Sequence, residues 1–224
     1  MASAGISQAP RKALEDPLAY LPCSSILEYS RGQVIYDRQR PSAAIHLVLG
    51  GRVKVALLNE DGHQVVVDIY GADDFFGESA FLGLPNRIEQ ASALDNAKLM
   101  AWSASEIEQI IEKRPRLAVA LIQILVQRTV EYAGRIESLS VDDIAHRLAR
   151  TLIRFSERLG SVEEDGAFRL MPFTHELLSQ YVGTSREIVT LYMNQFRRQG
   201  YLRYSRQGIV LYRDALNNWL RESP

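Results

Sequence analysis

A single cysteine, Cys23, is present in 224 residues. One thiol cannot close an intramolecular disulfide, and it removes every four-thiolate zinc or iron–sulfur site. Long apolar runs are also missing. Leu117 to Val126 is interrupted by Gln123 and has half the length that a bilayer span requires. The first twenty residues carry Arg11, Lys12, Glu15 and Asp16 without a continuous apolar block, so no secretory leader is visible. His46, His63, His146 and His175 are scattered with no i, i+4 pair, which supports no metal site. The G-x-S-x-G, Walker and H-E-x-x-H signatures do not occur, and Asp74-Phe75-Phe76-Gly77 lacks the other kinase elements. These absences describe a soluble, cytoplasmic chain that is not an enzyme and does not enter a membrane. Its 46% hydrophobic and 24% charged residues are ordinary globular values.

Net charge is only −1, but it is unevenly distributed. Residues 1–141 hold 14 basic against 17 acidic side chains, whereas residues 142–224 hold 12 against 10. Between Gly183 and Arg213 there are six arginines and one acid, Glu187. A basic stretch closing an otherwise acidic chain is either the footprint of a nucleic-acid reader or a solvated helix face.

The pattern divides the chain into a polar arm over 1–24, a β-rich unit over 25–115, a long helix over 116–141 and a mixed unit over 142–224. The arm shows no sustained period and predicts at most one helical turn. Val34–Tyr36, Ile45–Leu49, Val53–Leu58, Val65–Ile69 and Leu99–Trp102 are strand-length apolar runs separated by turn residues, as in an antiparallel sandwich or barrel. Asp61-Gly62 is the clearest hairpin signal. Ser103-Ala104-Ser105-Glu106 reads as a capping box. After Pro115, positions 118, 122, 125, 129, 132, 136 and 139 alternate in steps of four and three, the period of a heptad seam. Ile122, Leu125, Thr129, Tyr132, Ile136 and Leu139 are the candidate dimer contacts. Leu117, Leu121 and Ile124 form a second stripe, so one face can pack on the β-unit and the other on a second copy; the alternative is a helix buried within its own domain. Asp142–Leu159 reads as another helix, ended by Gly160, and Ser161–Gly166 as an acidic loop, either solvated or available to RNA polymerase.

The last segment is the most specific. Thr174 is placed to cap a helix through Val182, Gly183-Thr184 breaks it, and Ser185 caps a second helix from Arg186 to Gln199. Two short helices joined by a tight glycine turn form a helix-turn-helix. Val189, Tyr192, Met193 and Phe196 make the buried stripe, so Arg186, Glu187, Thr190, Leu191 and Asn194 lie opposite. Tyr201–Tyr204 and Ile209–Tyr212 read as a β-hairpin wing. A recognition helix enters the major groove N-terminus first, which brings Arg186, Glu187 and Thr190 to base edges. Thr174, Ser185, Arg203 and Arg206 would then meet phosphates. Leu191 either packs on a thymine methyl or points away from the bases.

The run from Thr174 to Val189, THELLSQYVGTSREIV, resembles the winged helix-turn-helix of the cyclic-AMP receptor protein/fumarate-nitrate-reduction regulator (CRP/FNR) superfamily. Pro41–Val55 is similar to that family's cyclic-nucleotide-binding β-roll, Asp73–Glu78 to its phosphate-cassette entry, and Arg135–Leu139 to the end of its dimer helix. The resemblance implies an α+β chain: an N-terminal antiparallel β-roll sensor, a dimerisation helix and a C-terminal winged helix-turn-helix. It also implies a homodimeric transcription regulator that binds inverted-repeat double-stranded DNA and is controlled by a small effector in the β-roll. A nucleotide-sensing protein that acts through protein partners is the alternative, and the basic winged segment argues against it.

In cyclic-AMP-binding members a Gly-Glu pair and an Arg-Ser or Arg-Thr pair hold ribose and phosphate. By resemblance the effector-facing residues here are Gly77, Glu78, Ser79 and Arg87, with Thr129 and Tyr132 on the dimer helix. Ile88 replaces the hydroxyl residue, Glu89 adds a negative charge, and Tyr132-Ala133 stands at the base-contacting pair. The resemblance implies a cyclic nucleotide or other small anionic effector, but the cassette favours a different effector, or none, over a cyclic nucleotide.

Overall fold

The computed structural model describes residues 14–58, 64–83 and 89–222. Arg87, His63 and the Asp61-Gly62 hairpin tip lie outside the described residues.

The β-unit is built from β1 (Ile26–Tyr29), β2 (Val34–Tyr36), β3 (Ala44–Gly50), β4 (Val53–Leu58), β5 (Gln64–Tyr70), β6 (Phe75–Phe76), β7 (Glu89–Ala93) and β8 (Ala97–Ser103). They form two antiparallel four-stranded sheets, ordered β1-β8-β3-β6 and β2-β7-β4-β5. Alternation sends Tyr36, Val48, Val53, Val55, Ala91 and Leu99 into the space between the sheets, where all are 3% exposed or less. The outline matches the expected antiparallel sandwich. β1, β6 and β7 carry at most two consecutive apolar residues, too few for the period to reveal them.

The arm is not loose from Glu15 onward. Glu15 N–H donates to Gln123 at 2.7 Å, Trp102 donates to the Pro22 carbonyl at 3.0 Å, and Asp16 caps a 3-10 turn over Pro17–Ala19. Side-chain acceptors and a proline at the first helical position fix what composition alone reads as irregular.

α1 (Ala104–Lys113) opens on the expected capping box, with Ser103 N–H donating to Glu106 at 2.7 Å. α2 (Arg116–Val141) is a 26-residue rod. Leu117 is fully buried with Ile45, Leu47, Phe75, Trp102 and Ile107, and Leu121 and Ile124 pack on the same cluster. The other apolar face stands in solvent: Ile122 is 57% exposed, Val130 67% and Ile136 65%. That face includes Val119, Val126 and Val130, which the heptad seam omits, whereas Tyr132 turns half-buried towards the sensor. A straight helix drifts ~20° per heptad against a 3.5-residue repeat, which over three heptads moves the stripe to neighbouring positions.

α3 (Ile144–Leu159) is capped by Asp143 and buries Leu148, Leu152 and Phe155. Ser161–Gly166 is not simply a loop. β9 (Ser161–Val162) pairs with β10 (Phe168–Leu170), closed by Gly166 N–H donating to the Glu163 carbonyl at 3.0 Å. α4 (His175–Val182), α5 (Arg186–Arg198), β11 (Leu202–Ser205), β12 (Gly208–Leu211) and α6 (Arg213–Glu222) complete the chain. The wing hairpin is thus half of a four-stranded sheet, β11-β12-β10-β9.

The C-terminal unit rests on the sensor through α4 and β5, and one hydrophobic cluster joins Val66 and Ile69 to Leu178, Tyr181 and Phe155. Ion pairs cross the same boundary. Asp68 on β5, with its side chain 1% exposed, accepts from Arg154 at 3.1 Å and Arg158 at 2.9 Å. Arg154 also meets Glu131 of α2 at 2.6 Å, and Arg158 meets Asp74 at 3.1 Å. No helix among the described residues is long and apolar enough to cross a membrane.

Candidate DNA-reading surface and effector cassette

The helix-turn-helix is set by caps. Thr174 Oγ1 accepts from Leu177 N–H at 3.1 Å, Ser185 Oγ from Ile188 N–H at 3.3 Å, and Gly183 takes φ +77° to end α4. A left-handed residue there is least costly as glycine. Val189, Met193 and Phe196 are 1% exposed or less, so α5 is seated by the stripe its sequence shows. Arg186, Glu187 and Leu191 stand exposed on the far side, Leu191 at 56%. The Glu187 carboxyl lies below its usual range because its own backbone N–H and the Ser185 hydroxyl hydrogen-bond it.

Two residues of the face expected towards DNA make hydrogen bonds inside the protein. Thr190 donates to the Arg186 carbonyl at 2.9 Å, and its Oγ1 lies 2.8 Å from His175 Nδ1. Asn194 Oδ1 accepts from the Tyr204 hydroxyl at 2.9 Å. Both side chains sit on the polar face of α5, as spacing requires, but they brace α5 against α4 and the wing. Burial, and then the neighbouring Arg186 charge, lower the His175 pKa and keep that bond neutral. Arg203 donates to the Tyr212 hydroxyl across the wing, while Arg206 is exposed at its tip.

The cassette turns on Gly77, whose φ is +90° and whose added Cβ would come 2.8 Å from the Ala44 carbonyl oxygen. Glu78 and Ser79 follow it in the short turn over Glu78–Leu82. Arg128, which sequence reasoning passes over, reaches in from α2, donating to Glu78 at 2.7 Å and to the Phe75 carbonyl, with its guanidinium 4.9 Å from the Tyr70 ring centre. It continues the stripe Leu117, Leu121, Ile124 at helical spacing, a charged residue on the docked face, and that was the available signal. Tyr132 is half-buried there, and burial raises its pKa. Thr129 is exposed and donates to the Leu125 carbonyl at 2.8 Å, so it does not join the cassette of its own chain.

Residues 26–114 match a cyclic nucleotide-binding domain, and residues 146–219 match a Crp-like helix-turn-helix domain. The transcriptional regulator SdrP of Thermus thermophilus is 32% identical over 164 residues, covering 73% of this chain and 76% of that protein. The CRP-like cAMP-activated global transcriptional regulator of Mycobacterium tuberculosis is 24% identical over 186 residues, 83% of each chain. Among solved structures, TTHA1359 of Thermus thermophilus, a CRP/FNR-family transcriptional regulator, superposes with a TM-score of 0.72 at 29% identity, over 89% of this chain and 100% of that one. With a sensor of the cyclic-nucleotide-binding type joined through a long helix to a Crp-like reader, the chain belongs to the CRP/FNR family of DNA-binding transcription regulators.

Proposed function

We propose that two copies pair along the outward face of α2 and bind an inverted repeat, each placing the N-terminus of α5 in the major groove. In this reading 1–24 is an arm, 25–115 the effector-sensing domain, 116–141 the dimerisation helix and 142–224 the reader. Arg186 and Glu187 read base edges, Arg186 by a bidentate bond to guanine and Glu187 by accepting from cytosine. Thr174, Ser185, Arg203 and Arg206 hold phosphates. Leu191 faces the groove with only its methyls to offer. Ile122, Leu125 and Ile136 carry the dimer contact, and burying such side chains contributes about 1.5–3 kcal/mol each.

The observation that carries the reading is the exposed polar start of α5, held by two side-chain caps and a buried stripe, with a basic wing beside it. Selection from random duplex DNA followed by band-shift titration tests it. An enriched inverted repeat is expected, with half-sites about 34 Å apart. Affinity should fall roughly 10³–10⁵-fold between 50 and 200 mM salt if six to ten phosphates are contacted. Enrichment of no sequence, or an affinity indifferent to salt, refutes it.

A further inference from the structure

Within the sensor reading above, we infer that Glu89 decides what the β-roll accepts: its carboxylate fills the seat that a ligand's anion would need, and it excludes cyclic nucleotides. Glu89 opens β7 opposite Leu57 of β4. Its Oε1 accepts from the Ser79 hydroxyl and, at 3.2 Å, from the Tyr36 hydroxyl. Two donors from separate elements, the turn after Gly77 and strand β2, therefore converge on one oxygen atom. Each hydroxyl has a single hydrogen to give. Neither can serve Glu89 and a phosphodiester at once.

Among the described residues, the surroundings do not relieve the conflict. Glu78, the other carboxylate of the cassette, is bound to Arg128, and the second arm of Arg128 is committed to the Phe75 carbonyl. Among the described residues, an entering phosphodiester would meet the carboxylates of Glu78 and Glu89 while the Arg128 guanidinium is already engaged, and like charges at close range repel. The seat cannot open by moving Tyr36 either. Its ring is fully buried and stacks on Phe76, with centroids 6.2 Å apart and planes at 25°. The effector of this sensor is accordingly one that brings no anionic group to the Ser79–Tyr36 hydroxyls.

Calorimetric titration of the full-length protein with cyclic AMP and cyclic GMP tests the assignment. The wild type should show no saturable binding up to roughly 1 mM. Glu89→Ala frees both hydroxyls and removes the charge, and should bind cyclic AMP at least about tenfold more tightly. Glu89→Gln, which keeps the size and loses the charge, should fall between the two. Adding Ser79→Ala to Glu89→Ala should abolish the gain. A wild type that binds cyclic AMP as tightly as Glu89→Ala overturns the inference. So does a Glu89→Ala protein that melts normally and shows no gain. Band shifts on the selected DNA separate this from the wider proposal: loss of all DNA binding refutes the reader and leaves the calorimetric result to judge Glu89 alone.

Discussion

Replacing Arg158 by methionine keeps most of the side-chain volume and removes one of two cations from a cluster holding three carboxylates. In the wild type Arg158 lies 2.9 Å from Asp68 and 3.1 Å from Asp74, with its side chain 21% exposed. Burial alone would lower its pKa, but Asp68 and Asp74 more than offset that. Without Arg158, Asp68 keeps the Ile69 N–H at 2.8 Å and a single cation, Arg154, which Glu131 also shares. Among the described residues, Asp74 keeps only the Gly71 N–H at 2.9 Å. Breaking a buried pair on one side costs about 3–5 kcal/mol. At roughly 2–4 °C per kcal/mol for a chain of this size, the melting temperature should fall by about 6–20 °C. The pH dependence gives a sharper check. Burial already raises the Asp74 pKa, with Arg158 the leading opposing influence, so the variant raises it further. A carboxyl whose folded pKa exceeds its unfolded value near 4 adds stability below that value and loses it as pH rises through the folded pKa. The deficit of Arg158→Met should therefore be small near pH 4 and full at about pH 7. Differential scanning calorimetry of both proteins across that interval measures it. A drop under about 2 °C, or a deficit that does not vary with pH, would show a solvated cluster and refute the reasoning.

Ile136→Glu puts a carboxylate on the outward face of α2 and should yield monomers in sedimentation velocity; a dimer of unchanged mass would move the interface elsewhere. Leu191→Arg should shift selected DNA towards guanine at one position per half-site by about 1–3 kcal/mol, and an identical preference in both proteins would remove Leu191 from the readout. Thr174→Ala should cost about 1 kcal/mol in urea unfolding, the usual loss of an N-cap, as well as any phosphate contact. Because the His175 pKa is lowered in the folded chain, its contribution is complete above pH ~6.5 and declines as pH falls below that value. Replacing His175 by glutamine should flatten this part of the stability curve, and an unaltered curve would place its origin in another group.

The reader was legible because its signals are local: caps, a glycine break and a four-residue stripe lie within a short stretch of chain. The sensor was legible where a strand carries its own apolar run, as β3 and β4 do. β7, Glu-Gln-Ala-Ser-Ala, buries only its alanines and depends on its partners for its identity. α6 went unassigned although Leu216 is buried and Trp219 packs on Phe196, because a helix after the wing announces itself only once it has something to cover. The intrachain bonds on the polar face of α5 have a common cause for escaping the sequence. Spacing places Thr190 and Asn194 on the polar face, but His175 and Tyr204, which engage them, are 15 and 10 residues distant in sequence. Periodicity finds a face; it does not show which of its polar groups are already satisfied.

Arg135 has a bearing on how freely this sequence can drift. From α2 it donates to the Val66 carbonyl at 3.2 Å, the Val67 carbonyl and the Tyr181 carbonyl at 3.3 Å, and its guanidinium stacks 4.0 Å from the Tyr181 ring centre. Those acceptors belong to two separate elements and are main-chain atoms, so no change of neighbouring side chain can substitute for them. Lysine would carry the same charge but has neither the planar fork nor the stacking surface. Position 135 should therefore tolerate almost no exchange, even a basic one, whereas exposed Arg206 is free to become lysine. Selection at this position acts on shape before charge.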